Sequence, residues 1–187
     1  PCGSGRKYKH CCQLAGRVSA SAPADLVWRR LRGLLDEHQP RILRFIEDTY
    51  GPAALAEAWD EFTLFEDIEF DPQSLLVPLF LPWFFHRWTP DAPETTVADK
   101  SLHEVRPTEL YLARKGRSLD PLLRGYLESC LAAPFSYFEI LACDPGRGFR
   151  ARDVMTGEEH EVTERAASRA LERGDIVFGQ VATVDRL

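Results

Sequence analysis

Fifteen residues from Ser74 to Trp88, SLLVPLFLPWFFHRW, carry no charge before Arg87 and are apolar on nearly every side of a helix. A helix with no polar face has to sit at the centre of a packed body or in a membrane. The apolar stretch Leu75 to Phe85 is too short for the second option, because a spanning helix needs about 20 residues. Pro78 and Pro82 lie four apart within it and predict a kinked or broken helix. The rest of the fold must therefore wrap this run.

The preceding residues offer material for that wrapping. Ala24 to Glu37 repeats Leu26, Val27, Leu31, Leu34 and Leu35 at helical spacing, with arginines opposite. Pro40 predicts a break, or the first turn of a second helix whose stripe is Ile42, Leu43, Phe45 and Ile46. Gly51-Pro52 ends that helix, and Ala53 to Phe65 reads as a third, with Leu55, Trp59, Phe62 and Phe65 on one side. Beyond the apolar run, 97–105 gives no clear pattern. Thr108 to Lys115 and Leu119 to Ala132 predict two more helices, with Ser118 or Asp120 as cap of the second.

After Pro134 the period changes from helical to alternating. FSYFEILAC, GFRARDVM, HEVTE and IVFGQVATV read as strands, with turns at Asp144-Pro145-Gly146 and Thr156-Gly157-Glu158. The expected class is α+β: a helical body of about five to seven helices, then a small antiparallel sheet or partly closed barrel of SH3-like size. The expected divisions are a tag at 1–15, a linker at 16–24, a helical domain at 25–133 and a β-rich module at 134–187. GRVSASAPA, small and polar, is the linker.

Charge separates the parts. Residues 1–17 hold Arg6, Lys7, Lys9 and Arg17 and no acid, a local +4; with −6 overall, the remainder carries −10. Between Arg44 and Arg87 there is no lysine or arginine, while Glu47, Asp48, Glu57, Asp60, Glu61, Glu66, Asp67, Glu69 and Asp71 all fall there. Broad nucleic-acid binding needs clustered base and is not expected of such a body. Arg147, Phe149, Arg150 and Arg152 form a small basic edge, for which the preferred reading is a hairpin with its polar face outward.

Three of the five cysteines, Cys2, Cys11 and Cys12, crowd into PCGSGRKYKHCC. Adjacent cysteines pair only with strain, and a short loop gains little from a disulfide. Thiols beside a glycine turn suit a soft metal, and zinc takes four thiolate or imidazole ligands. Gly3-Ser4-Gly5 supplies a chain reversal, Arg6, Lys7 and Lys9 favour thiolate, and His10 is a possible fourth ligand.

This stretch resembles the SEC-C motif, the short zinc-binding tail of the preprotein translocase ATPase SecA. Its pattern is Cys-x-Cys, eight residues, then Cys followed by Cys or His. Cys2, the eight residues Gly3 to His10, and Cys11-Cys12 match it, and the first cysteine would stand immediately before Pro1. The chain begins without methionine and reads as a piece of a longer protein. The resemblance implies one zinc ion held by Cys2, Cys11 and Cys12. It implies a contact face of Arg6, Lys7, Tyr8 and Lys9 for a protein partner or the ribosome, as the similar tail of SecA serves the chaperone SecB and ribosomes. A bacterial cytoplasmic protein is expected, consistent with free thiols.

The alternative is a metal-dependent hydrolase or nuclease using the acids of 57–71, since carboxylates hold hard cations. EF-hand spacing is lacking, and charge runs are usually solvated faces. The five histidines are isolated in sequence, Cys130 and Cys143 sit in apolar segments, and there is no Gly-x-Ser-x-Gly elbow, Walker loop or dinucleotide fingerprint. No catalytic residue is assigned. The preferred reading is a zinc-tagged binding or adaptor protein.

Overall fold

The computed structural model describes residues 23–64, 66, 68–90 and 95–184. Among the described residues five α-helices precede four strands: α1 (Pro23–Tyr50), α2 (Ala54–Phe62), α3 (Val77–His86), α4 (Pro107–Lys115), α5 (Pro121–Ala132), β1 (Phe135–Asp144), β2 (Gly148–Asp153), β3 (Glu159–Val162) and β4 (Ile176–Gln180). The class is α+β, as the two hydrophobic periods in the sequence require. Short 3₁₀ turns at Lys100–Leu102, Gly116–Ser118 and Ala167–Arg169 fill the connections.

The apolar run forms α3, and it is the centre of the helical part. Phe80, Phe84, Phe85 and Trp88 are buried, joined by Ile42, Ile46 and Tyr50 of α1, Ala58 and Trp59 of α2, Tyr111 of α4 and Leu123 and Leu127 of α5. Phe80 contacts the rings of Trp59, Phe62, Phe70, Trp83 and Phe84 at centroid distances of 5.0–6.4 Å. Pro78 lies in the first turn, where its missing N–H costs nothing, and Pro82 is carried inside the helix without ending it.

Pro40 does not separate two helices either. Residues 23–50 form one helix of 28 residues with Pro40 inside it. The reason lies in phase and solvent. Leu31, Leu35, Ile42 and Ile46 stay on one face across the proline, so breaking the helix would unseat half of its buried stripe. Pro40 and Asp36 are both exposed, so the carbonyl that loses its partner can be hydrated.

At the far end of α2 the chain turns through Leu64, whose φ of +57° is in the left-handed region. Helices commonly end on such a residue, usually glycine, because a Cβ there costs about 1 kcal/mol. Leu64 is 81 % exposed and buries little in return. Leu64→Gly is expected to raise stability by about 0.5–1 kcal/mol, read as a higher urea midpoint at unchanged m-value.

The four strands form one antiparallel sheet in the order β3-β2-β1-β4. Among the described residues β3 and β4 remain its two edges, so the sheet does not close into a barrel. Its inner face buries Phe138, Ile140 and Ala151, with Phe149, Leu171 and Val177 packed against them. Gly148 opens β2 at a point where a Cβ would lie 2.0 Å from the Val162 carbonyl oxygen, so only glycine lets β3 come this close. The β2–β3 turn is pinned by buried Asp153, which accepts hydrogen bonds from the Ser136 hydroxyl and the Met155 and Thr156 amides.

The C-terminus of α5 is where helices and sheet are tied. Its last carbonyls have no partners within the helix. Arg87 donates to the Cys130 and Ala133 carbonyls, Arg106 to that of Leu131, and Gln180 of β4 again to those of Cys130 and Ala133. Two guanidinium groups at a helix C-terminus also complement its dipole. At the other end, Asp120 caps α5 by accepting from the Leu122 amide, which decides between the two expected caps.

Candidate functional site

The expected zinc ligands Cys2, Cys11 and Cys12, and the expected contact residues Arg6, Lys7, Tyr8 and Lys9, lie outside the described residues. Their donor chemistry fits zinc. Three thiols at this spacing are soft ligands, and the only cations beside them are ones that favour thiolate.

The acidic interval can be followed in part. Glu57 on α2 is a tether: it accepts from the Thr96 amide at 2.9 Å and hydroxyl at 3.0 Å and from the Thr95 hydroxyl, holding the segment after Pro90 to the helix. Asp71 accepts from the Gln73 amide within its own turn. Among the described residues no three of His, Cys, Asp and Glu gather where they could hold a metal ion. The convergence of acids that the hydrolase reading requires is therefore not formed by the described members of the interval.

The described histidines are also separate. His38 bonds the Leu34 carbonyl one turn back, His103 the Val97 carbonyl, and His160 packs edge-on to Phe138. His86 is 3 % exposed, and its Nδ1 has no partner among the described residues. Burial first, then the nearby Arg87 and Arg106 charges, pull its pKa down to about 3. It is a neutral imidazole held in the core beside the cap of α5.

Both described cysteines are free thiols. Cys130 is buried, and burial pushes its pKa up to about 11, against the smaller opposing effects of Tyr126 and Arg87. Such a thiol stays protonated and is no nucleophile. Cys143 is half-buried near the end of β1, paired with Phe149 and packed against the inner cluster of the sheet.

The basic edge of the sheet is neutralised. Arg147 pairs with Asp144, Arg150 with Glu159 and Arg152 with Glu139, while Phe149 packs inward. Strand pairing sets acid against base here, which single-strand patterns do not reveal.

A cavity of about 330 Å³ lies between the N-terminal half of α1, α5 and the inner face of the sheet. Trp28, Leu31, Tyr126 and Phe138 give it apolar walls, with Arg32 and Glu161 among its polar groups. Trp28 meets two cations, with the Arg165 guanidinium 5.0 Å and that of Arg32 5.9 Å from its ring centroid. Sequence reasoning missed this cavity and the arginine cap of α5, since both join residues far apart in the chain. The signal for the cap was Arg87 at the end of an otherwise apolar run.

Residues 1–14 match the model of the SEC-C motif family. No curated protein and no solved structure matches the chain. Among the described residues no helix is long and apolar enough to cross a membrane.

Proposed function

We propose that this protein is a zinc-tagged adaptor. Cys2, Cys11 and Cys12 hold one zinc ion, and Arg6, Lys7, Tyr8 and Lys9 form the face that meets a protein partner or the ribosome in the cytoplasm. The observation that carries this reading is the SEC-C motif over residues 1–14. The zinc supplies structure, not reaction chemistry: four ligands fix a short segment that has no core of its own. The three cations present positive charge to an acidic surface, whereas the body carries the opposite sign, so the two parts select different surfaces. In this proposal 25–133 and 134–187 are the domains that the tag brings to its partner.

The test is co-sedimentation of the chain with purified ribosomes, and capture of a purified acidic protein partner, at two salt concentrations. Reversing Arg6, Lys7 and Lys9 to glutamate is expected to weaken binding at least about tenfold, equivalent to roughly 1.4 kcal/mol. The far-ultraviolet circular dichroism of the body should not change. Contact that survives the reversal would move the binding face elsewhere.

A further inference from the structure

The two edges of the sheet are built differently. β3 reads EHEV, and its acids Glu159 and Glu161 guard it as natural edge strands are guarded. β4 reads IVFGQ, with no charge, no proline and no register irregularity against β1. An unguarded apolar edge is a template for strand pairing.

The outer face beside β4 carries an apolar patch, bordered by the Glu139–Arg152 ion pair opposite Ile176. Ile176 is 63 %, Tyr137 53 % and Phe178 39 % exposed. They form one patch: Tyr137 and Phe178 are opposite each other with rings 5.1 Å apart, and the Phe135 ring lies tilted against Phe178 at 5.7 Å. Val154, whose amide bonds the Tyr137 carbonyl, extends the border together with exposed Met155. Contiguous exposed apolar surface of this kind marks an interface.

Backbone direction adds a second observation. Alternate residues of an antiparallel strand aim their amide groups at opposite neighbours. The Tyr137 carbonyl bonds toward β2, through Val154, whereas Ile140 bonds toward Gly174 and Asp175 on the β4 side. Ser136 and Phe138 share the direction of Ile140, so their partners Gly179 and Val177 face β1. Ile176, Phe178 and Gln180 then aim their N–H and C=O groups away from the sheet, at the open edge.

We propose that β4 is the seam at which a second copy of this chain pairs, antiparallel about a two-fold axis through Phe178, to join two four-stranded sheets. The strand is self-complementary in this register. Phe178 meets its own equivalent, Ile176 lies opposite Gln180 of the partner subunit, and the aromatic patch runs on across the axis. Asp175 falls opposite Val181 of the partner subunit and Arg173 opposite Thr183 of the partner subunit, so no like charges face each other. Each chain carries −6, and two copies that meet along a strand without charge do so where their repulsion is lowest. A closed two-fold pairing uses each unguarded edge once and ends there. If the tag reading holds as well, the pair presents two tags, and binding to a surface with two sites gains avidity without new contacts.

The test is the molar mass of the full chain by light scattering, together with hydrogen exchange. Wild type is expected at twice 21.2 kDa. The double variant Ile176→Lys, Phe178→Lys is expected at 21.2 kDa with an unchanged helical circular dichroism spectrum. In the wild type the amides of Ile176, Phe178 and Gln180 should exchange slowly, and more slowly as concentration rises, while Val177 and Gly179 stay protected at every concentration. A wild type that is monomeric at millimolar concentration overturns the proposal. So does a dimer that persists in the double variant, or one whose three outward amides exchange freely. The exchange measurement needs no substitution, so it tests the seam even where the double variant fails to fold, and neither measurement depends on zinc in the tag.

Discussion

Replacing Phe80 by alanine is expected to lower stability by about 3–5 kcal/mol, the range for a large aromatic deleted from a packed core. Phe80 is 0 % exposed and lies among five other aromatic rings, two from α2, two from α3 and Phe70 from the link between them. The loss has two parts. The ring returns its apolar area to water in the unfolded state only, so that share of the burial energy disappears. The surrounding rings cannot close the space without leaving their contacts with one another, such as the edge-to-face pair of Trp59 and Phe70, so a cavity remains. Domains of this size are stable by about 5–15 kcal/mol, so one truncation removes about a fifth of the margin or more. Urea unfolding followed by tryptophan fluorescence measures it. A loss below about 1 kcal/mol would show that α3 is not the centre around which the helices pack. Leu75→Ser, two residues before the helix start and 93 % exposed, is the matched control and is expected to change little.

The second large effect is acid sensitivity through His86. Its folded-state pKa is depressed to about 3, against 6.5 for an exposed histidine. Below pH 6.5 the unfolded chain takes up a proton that the folded chain refuses. Protons are then bound more by the unfolded state, and stability falls as pH falls. The contribution is absent above about pH 7. It grows by roughly 1.4 kcal/mol for each pH unit from 6.5 down to about 3, where the folded imidazole finally titrates. Carboxylates steepen the same limb, so the comparison is with His86→Leu, whose stability is expected to vary less with pH between 6 and 4. Equal slopes would mean that the imidazole is hydrated or charged in the folded protein. The placement explains the sign. His86 ends α3 next to Arg87, which caps α5; Arg106 divides between the Leu131 carbonyl and Glu109, and no carboxylate is among the groups that shift His86.

Much of this architecture was legible in the sequence. The all-round apolar run named the core, because no other solution exists for a short helix without a polar face. The change of period after Pro134 named the sheet, and Gly146 and Gly157, both at positive φ, sit in its turns. Pro40 was misleading. Helix-breaking is a local rule, and the in-phase stripe from Leu31 to Ile46 outweighs it where the freed carbonyl faces water. The partners of Arg87, Arg106 and Gln180 were illegible, because the carbonyls they cap lie 25–50 residues away. The unguarded β4 edge was visible as an uncharged strand, but edge position appears only once strand order is known. The acids of 57–71 were read as a solvated face or a metal site, whereas Glu57 ties down a loop, a role that depends on Thr95 and Thr96 lying opposite it.

The tag carries the functional reading, and its metal is the point at which the reading stands or falls. The decisive measurement is the zinc content of the purified chain, extended upstream to include the cysteine that the motif places before Pro1, alongside the Cys11→Ser, Cys12→Ser variant. One zinc per chain in the first and none in the second is the predicted result. A fully folded chain without zinc, or a variant that keeps it, would contradict the account.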